Sequence, residues 1–465
     1  LLTKIFEGAK SAAFHTFYKI STKRYNNRQK LNSQKISLVL YNLVITVQAM
    51  SFLWHWNLGV SGWENYRTFW RVVGYGCFDK LCAEFQVFDL CMYTAVALSM
   101  VTCGGIIGFG VLMHRNREVP GLMEFALEKL VAIIGGIGFI PIANLCVVGI
   151  KHSLSSDSTI KDYYNMEVKI EFFQGVLLCI SLVFVLILYF LYHSLTAEMR
   201  HSFAKKNIGA KSTTAFQIKE GAVFFCIILA NSFVAENSVF LLYGITLALS
   251  LYMFLQYLTR LPHYLLFTNC AKASVYYILG IEAVIFAVGY MQDNAFVFLL
   301  LSFIVTPLLL APLYSLFCYR ESKIVSPKWS KLYQLRTVYD MELCVREAMK
   351  KSTQEERERL MYCFGKCFDK SNFRGEKMLY VWTAHLCLYS IKDSRLARIK
   401  IWKCLDCEGD FESDFQEFCS KKALEAESKD CDDLEFMKFL VKQTEVTQID
   451  KSLCYHLLTF WNELL

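Results

Sequence analysis

The chain has 465 residues, of which 55% are hydrophobic and 20% charged, a balance too apolar for an ordinary soluble protein unless the charge is segregated. It is segregated: the long apolar runs lie within 36–319, and most Lys, Arg, Asp and Glu lie in 1–35 and 320–465. The net charge of +7 is compatible with a membrane surface and gives no reason to expect a nucleic-acid partner.

Residues 1–35 predict a basic amphipathic leader on the cytoplasmic side. Eight Lys and Arg oppose the single Glu7, and the segment carries the aromatic residues Phe14 and Phe17. Two interpretations stay open: a solvated juxtamembrane leader, or a helix lying on an anionic leaflet. The segment lacks the uninterrupted apolar core and small-residue cleavage site of a secretory signal.

Residues 36–320 predict an α-helical membrane bundle of about eight spans. The clearest span is 172–192, whose 21 residues carry no charge and cover the ~30 Å of a bilayer's hydrocarbon as a helix. The fifth span is short, and Met291 to Asn294 predict a tight hairpin between the last two. The eight predicted spans are 36–56, 88–113, 130–150, 170–193, 219–235, 238–258, 271–291 and 295–319.

The orientation follows from the Lys and Arg near the span ends. Eighteen lie on the side of the amino terminus and six on the opposite side. We therefore expect both termini to be cytoplasmic, in a plasma or ciliary membrane rather than an organelle.

The non-cytoplasmic loop 57–87 is rich in Trp and Tyr, which favour the membrane interface. It also carries Cys77 and Cys82, on the side where oxidation is permitted. A local disulfide between them is one of two open alternatives, the other being two free thiols.

Residues 321–465 predict a cytoplasmic domain of amphipathic helices. Phe411, Phe415 and Phe418 recur at i, i+4 and i+7, which indicates a helix over 410–427. Seven such helices joined by short polar turns suggest stacked α-hairpins, similar to tetratricopeptide or other solenoid repeats. The other helices are predicted at about 330–350, 353–369, 375–391, 394–408, 432–443 and from 453 to the end.

Glycines cluster in the second and third predicted spans. Gly104 and Gly108 have the small-x-x-x-small spacing that lets helix backbones approach closely, and no phosphate-loop Lys follows them. We expect the cluster to serve helix packing, and the alternative is a hinge or unwound site around residues 141–144. The glycines assigned to packing are Gly104, Gly108, Gly135, Gly136 and Gly138.

Glu282 lies midway in the seventh predicted span, where a charge is costly. It should face the bundle interior, and we expect it to form a structural hydrogen bond; the alternative is a place in an ion or proton path. Glu220 and Lys272, in contrast, are predicted to reach water from the span ends. The candidate polar partners of Glu282 are Gln48, Asn144, Asn231 and Gln256.

No enzyme chemistry is predicted. Cys363 with Cys367 and Cys404 with Cys407 could supply four thiolates for zinc, but their apolar neighbours favour ordinary buried cysteines. The chain shows no nucleophile triad, no His-Glu-x-x-His, no P-loop and no paired membrane carboxylates. We therefore expect no catalytic residues, no metal and no cofactor.

The order of parts, and the tail over 379–427, resemble the tiny macrocysts protein B and C group, large membrane proteins of ciliates and a social amoeba. The matching elements are Lys392-Asp393-Ser394, Ala397, the run from Asp414 to Phe418, and the Pro-aromatic element from Arg260 to Tyr264. The resemblance implies that further cytoplasmic sensory domains follow, which would fit a chain that starts without Met and stops within a predicted helix. It defines no catalytic residues.

These observations predict a non-enzymatic membrane sensor or scaffold that recruits protein partners through its helical tail, alone or as an oligomer. A channel or transporter with Glu282 in its path is one alternative, and an accessory subunit of a large membrane complex is another. A conduit needs a continuous polar path, whereas a scaffold packs dry around Glu282.

Overall fold

The computed structural model describes residues 8–18 except 9 and 12, then 31–53, 87–114, 121–154, 159–161, 167–195, 210–234 and 238–325, the single positions 342, 346, 353 and 355, and 376–427 except 392, 406 and 408. It divides into two compact units, 1–351 and 352–465. Nearly all of the described residues are helical, so the predicted all-α class is confirmed. The exception is a small antiparallel hairpin, in which β1 (Thr159–Lys161) pairs with β2 (Glu167–Lys169).

Ten α-helices of the first unit have defined bounds among the described residues. They are α1 (Leu31–Leu53), α2 (Phe88–His114), α3 (Gly121–Ala132), α4 (Phe139–Leu154), α5 (Phe172–Leu195), α6 (Ala215–Phe233), α7 (Val239–Arg260), α8 (Leu266–Gln292), α9 (Ala295–Leu310) and α10 (Leu313–Val325).

Seven segments of this unit are long and apolar enough to cross a membrane, and the bent pair α3–α4 would be the eighth. The predicted bundle of about eight spans is therefore confirmed at this level, and the chain is a membrane protein by the length and composition of its helices. The short fifth span is α6, whose 19 residues meet the same criterion.

Helix α8 lies at the centre of the unit and packs against α7, α1, α9 and α10. It ends at Gln292, the next residue Asp293 has a left-handed backbone (φ 45°), and Asn294 then caps α9 by accepting from the Phe296 and Val297 amides. Asn is a preferred helix cap, so the predicted hairpin between α8 and α9 has a local cause.

The leader contributes to the first unit. The described residues between 8 and 18 are helical, and Phe14 and Phe17 are buried against protein. These two aromatic side chains therefore pack on protein, and both interpretations of the leader as a whole stay predictions.

The described part of the second unit consists of α11 (Lys377–Leu386), a π-helical turn (Cys387–Ile391), α12 (Ser394–Leu405) and α13 (Phe411–Glu427). All three helices contact one another. They match three of the predicted tail helices, and the other four lie outside the described residues except for the single positions 342, 346, 353 and 355. The core is formed by Ala384, Cys387, Leu388, Ala397, Ile401 and Leu424.

Candidate functional site

The third predicted span is broken at its glycines. The π-helical turn Ile133–Ile137 separates α3 from α4, Gly136 leaves the helical region (φ −108°, ψ −106°), and the two helices are bent by 68°. Pro141 explains the position of the break. A proline has no N–H to donate to the carbonyl four residues earlier, which is that of Ile137. The Gln48 amide of α1 donates to this carbonyl instead, at 3.4 Å.

A cavity of about 20 Å³ lies against the break, which is room for one water molecule. Its lining comes from α1, the π-turn, α4, α5, α6 and α8. We call this cavity with its lining the Glu220–Lys272 chamber. The lining includes Tyr41, Asn42, Gly136, Glu220, Lys272 and Tyr276.

Glu220 of α6 and Lys272 of α8 form an ion pair at the chamber, with the Lys272 Nζ 3.7 Å from the Glu220 Oε2. Their side chains are only 6% and 13% exposed. The Tyr257 hydroxyl donates to the Glu220 Oε1 at 2.8 Å, and the Lys272 ammonium lies 4.7 Å from the centre of the Tyr41 ring. The prediction that both charges reach water from their span ends is therefore wrong.

The chamber also holds polar atoms with unused hydrogen-bonding capacity. Asn42 is 6% exposed; its Nδ2 donates to the Ala271 carbonyl at 2.9 Å, and its Oδ1 has no partner among the described residues. The Tyr276 hydroxyl lies near Glu220, with no hydrogen bond of normal geometry in the described part of the chain. Such buried atoms are costly unless a water or ion satisfies them.

A second polar network lies at the end of the bundle where α6 and α8 begin. The Lys211 ammonium donates to the Gln217 Oε1 at 2.7 Å, and the Gln217 Nε2 lies 3.3 Å from the His263 Nε2. The His263 ring stacks on that of Tyr257, with centroids 6.3 Å apart. Tyr257 therefore contacts both networks.

The second network is formed by two short segments, 210–214 before α6 and 261–265 before α8, and Arg346 binds the segment 261–265. The Ser212 N–H donates to the Pro262 carbonyl, and the backbones of Lys211 and His263 pair as an isolated antiparallel β-bridge. Leu261 has a left-handed backbone (φ 47°), a strained state for a leucine. The Arg346 guanidinium donates to the Leu261 carbonyl at 2.8 Å and the His263 carbonyl at 3.1 Å, and pairs with Glu342 at 2.8 Å.

Glu282 is outside the chamber lining and is 1% exposed. Its Oε2 accepts from the Ser302 hydroxyl at 2.8 Å and its Oε1 from the Thr306 hydroxyl at 2.9 Å. Both donors are on α9, and neither was among the predicted partners. Their signal was available in the sequence, since two hydroxyls at i and i+4 share one helix face.

The four predicted partners occupy other places. The Gln48 amide donates to the Ile137 carbonyl, and Asn144 is fully buried in α4. Asn231 and Gln256 are half-buried in α6 and α7. The two hydrogen bonds that Glu282 accepts from Ser302 and Thr306 connect α8 with α9.

Among the five glycines assigned to packing, Gly135 makes a close approach to another helix. A Cβ on Gly104 or Gly108 would meet no described residue within 4 Å, so the packing role assigned to this pair stays a prediction. A Cβ on Gly135 would lie 2.7 Å from the Tyr192 Cβ, so Gly135 does permit a close approach to α5. Gly136 and Gly138 belong to the helix break itself, five and three residues before Pro141.

The cysteine predictions are only partly within the described residues. Cys77, Cys82, Cys363 and Cys367 lie outside them. Cys404 is buried and Cys407 half-buried, both as free thiols, and no group of three or more His, Cys, Asp or Glu in the described part of the chain could hold a metal.

No family model matches the chain, and no curated protein and no solved structure matches it.

Proposed function

We propose that the chain is a membrane transporter for a small ion and that the Glu220–Lys272 chamber is its coupling site. The observation that carries this proposal is the buried ion pair beside the cavity at the helix break. A charge inside a membrane bundle is expensive, and such residues commonly mark ion pathways and proton relays. This assignment replaces Glu282 by Glu220 as the functional carboxylate.

The broken third span supports the same proposal. In secondary transporters, discontinuous helices place backbone groups and helix ends beside the bound ion. Here Gly136 of the π-turn and Phe139 and Ile140 of α4 line the chamber. The first residues of α4 therefore line the same cavity as Glu220, and the positive end of a helix dipole attracts anions.

Transport is tested by reconstituting the full chain in liposomes loaded with dyes for H⁺, Na⁺ and K⁺, and imposing one ion gradient at a time. We expect flux of one ion that Glu220→Gln reduces to the level of protein-free liposomes. Glu282→Gln is the matched control, because the same substitution at a buried carboxyl outside the chamber should leave the flux unchanged. A Glu220→Gln variant with the flux of the unmodified chain, or an unmodified chain without flux, would contradict the proposal.

The second candidate is the sensor or scaffold function, with a tail of tetratricopeptide-like hairpins as in the tiny macrocysts group. The observation that favours it is the separate compact unit 352–465, whose described helices share a core. Lys377 links α11 to α13 through Asp414 at 2.5 Å and Glu417 at 2.7 Å. Burial lowers the pKa of Lys377, but the hydrogen bonds to Asp414 and Glu417 outweigh burial and leave this pKa raised, so the Lys377 ammonium is charged at neutral pH.

The scaffold function is tested by comparing the full chain with a chain that ends at Lys351, both crosslinked in native membranes. We expect defined cytoplasmic proteins that crosslink to the full chain and not to the shortened one. Identical crosslinked products from both chains would contradict recruitment by the tail.

A further inference from the structure

We propose that the coupling ion is a proton, carried by the Glu220 carboxyl and exchanged with a single water molecule in the chamber. This inference rests on the proposed transport function and names its ion. Its starting point is Asn42, whose buried Oδ1 lines a cavity the size of one water and has no partner among the described residues. The same cavity is lined by the carboxylate and the ammonium.

The two oxygens of Glu220 have different surroundings. The Oε1 already accepts the Tyr257 hydroxyl at 2.8 Å, whereas the Oε2 faces Lys272 at 3.7 Å, longer than a hydrogen bond. The Oε2 is therefore the position for the proton. A hydronium ion in the chamber gives its proton to the Oε2 and becomes water, and the carboxylate becomes a neutral carboxylic acid. Release to water on the other side of the membrane reverses the step.

Lys272 keeps partners when Glu220 is neutral. The ring of Tyr41 lies 4.7 Å from the ammonium, which is a cation–π distance. The unused Oδ1 of Asn42 is an acceptor at the same cavity. Both alternative partners are on α1, so protonation of Glu220 changes the helix that binds Lys272 from α6 to α1. Proton binding is in this way linked to a change in the contacts between helices.

The chamber suits a proton better than a metal cation. Sites for Ca²⁺ and Mg²⁺ are built around carboxylates, whereas the chamber lining has one carboxylate, that of Glu220 beside the Lys272 ammonium, and its other side-chain oxygens are neutral, from Asn42, Tyr41, Tyr189 and Tyr276. A metal ion would also have to occupy the space of one water beside the Lys272 ammonium. A proton needs no space of its own, because it is bound covalently to the carboxyl.

Other titratable groups surround Glu220, and the test must separate them. Phenols and lysines have ordinary pKa values near 10, so among these neighbours His193 is the group whose ordinary pKa lies near neutrality. Those near Glu220 are Tyr41 on α1, Tyr189 on α5, Tyr257 on α7, and Lys272 and Tyr276 on α8, while His193 on α5 lies near Lys272 and near Lys211 in the segment before α6.

The experiment is infrared difference spectroscopy of the full chain in lipid, between about pH 5 and about pH 8, where perturbed carboxyls and histidines titrate. We expect the carbonyl stretch of a protonated carboxylic acid to appear on acidification in the unmodified chain, Glu282→Gln and His193→Gln. It should be absent in Glu220→Gln. A band that persists in Glu220→Gln, or disappears in Glu282→Gln, would overturn the assignment.

Lys272→Met is a second variant that retains Glu220, and it keeps the test valid if Glu220→Gln fails to fold. Loss of the neighbouring cation should move the midpoint of the carboxyl band upward by about one to three pH units. An unchanged midpoint would show that the pair does not control the proton.

The two proposals fail in distinguishable ways. Flux of Na⁺ or K⁺ without a titrating Glu220 band overturns the proton and leaves transport standing. A titrating Glu220 band without flux in liposomes supports the proton site and overturns transport.

Discussion

Replacing Gly135 by alanine tests whether the helix break depends on a close approach to α5. A Cβ at this position would lie 2.7 Å from the Tyr192 Cβ and 2.9 Å from the Leu188 carbonyl oxygen. Both distances are below ordinary contact, and the oxygen belongs to the backbone, so no rotation of a side chain can relieve it. Inserting a methyl group into a packed interior typically costs 1–3 kcal/mol, and we expect about that loss here.

Gly104→Ala is the matched control. A Cβ on Gly104 meets nothing within 4 Å, and the residue is within α2. Alanine is favoured over glycine in a helix by about 0.5–1 kcal/mol, so this variant should be as stable as the unmodified chain or slightly more stable.

The assay measures the midpoint temperature of thermal unfolding of the full chain in detergent. The readout is the fraction of protein that remains monodisperse after heating to each temperature. We expect Gly135→Ala to unfold at a temperature several degrees lower, and Gly104→Ala to unfold at an unchanged or higher temperature. Equal midpoints for the two variants would refute the close approach at Gly135.

Three further predictions concern other parts of the chain. Glu282→Gln should preserve expression, because the Ser302 and Thr306 hydroxyls can rotate to bond an amide, whereas Glu282→Leu leaves both hydroxyls unpaired and should lower the yield of folded protein. Burial raises the pKa of the Cys387 thiol and of the Cys404 thiol to about 12, whereas an unfolded thiol ionises near pH ~8.5. Stability that depends on these neutral thiols is complete below pH ~8.5 and is lost as the pH rises further, which chemical denaturation at increasing pH measures. The loop 194–219 has no cysteine of its own, so a cysteine introduced there should be labelled in intact cells only after permeabilisation, and labelling from outside would contradict a cytoplasmic amino terminus.

The spans could be predicted because their signal is local. A helix in hydrocarbon satisfies its own backbone and needs only length and apolar composition, both of which a continuous segment shows. The helix α5 observed at Phe172–Leu195 extends the apolar run 172–192 by one turn. The tail helices Ser394–Leu405 and Phe411–Glu427 were predictable for a similar reason, since their periodicity and polar turns lie within short stretches.

The helix break was predicted about one turn too late in the chain. The hinge alternative placed it at residues 141–144, following the position of Pro141. A proline disturbs the turn that precedes it, because the carbonyl that loses its donor belongs to Ile137. The glycines at 135, 136 and 138 lie in that turn and accept the irregular backbone. Counting four residues back from the proline would have located the break.

The Glu220–Lys272 pair was missed because depth was judged one helix at a time. Glu220 is the sixth residue of α6 and Lys272 the seventh of α8, so each alone is close enough to a helix end to reach water. The segments 210–214 and 261–265 pair across that end of the bundle, and Arg346 binds the second of them. This cover removes the water that each side chain would otherwise reach. Glu220 and Lys272 have opposite charges and lie at nearly the same depth in helices that start from the same end of the bundle, so without water they form an ion pair. Their charges and their positions in the two helices can be read from the sequence before the positions of the segments 210–214 and 261–265 are known.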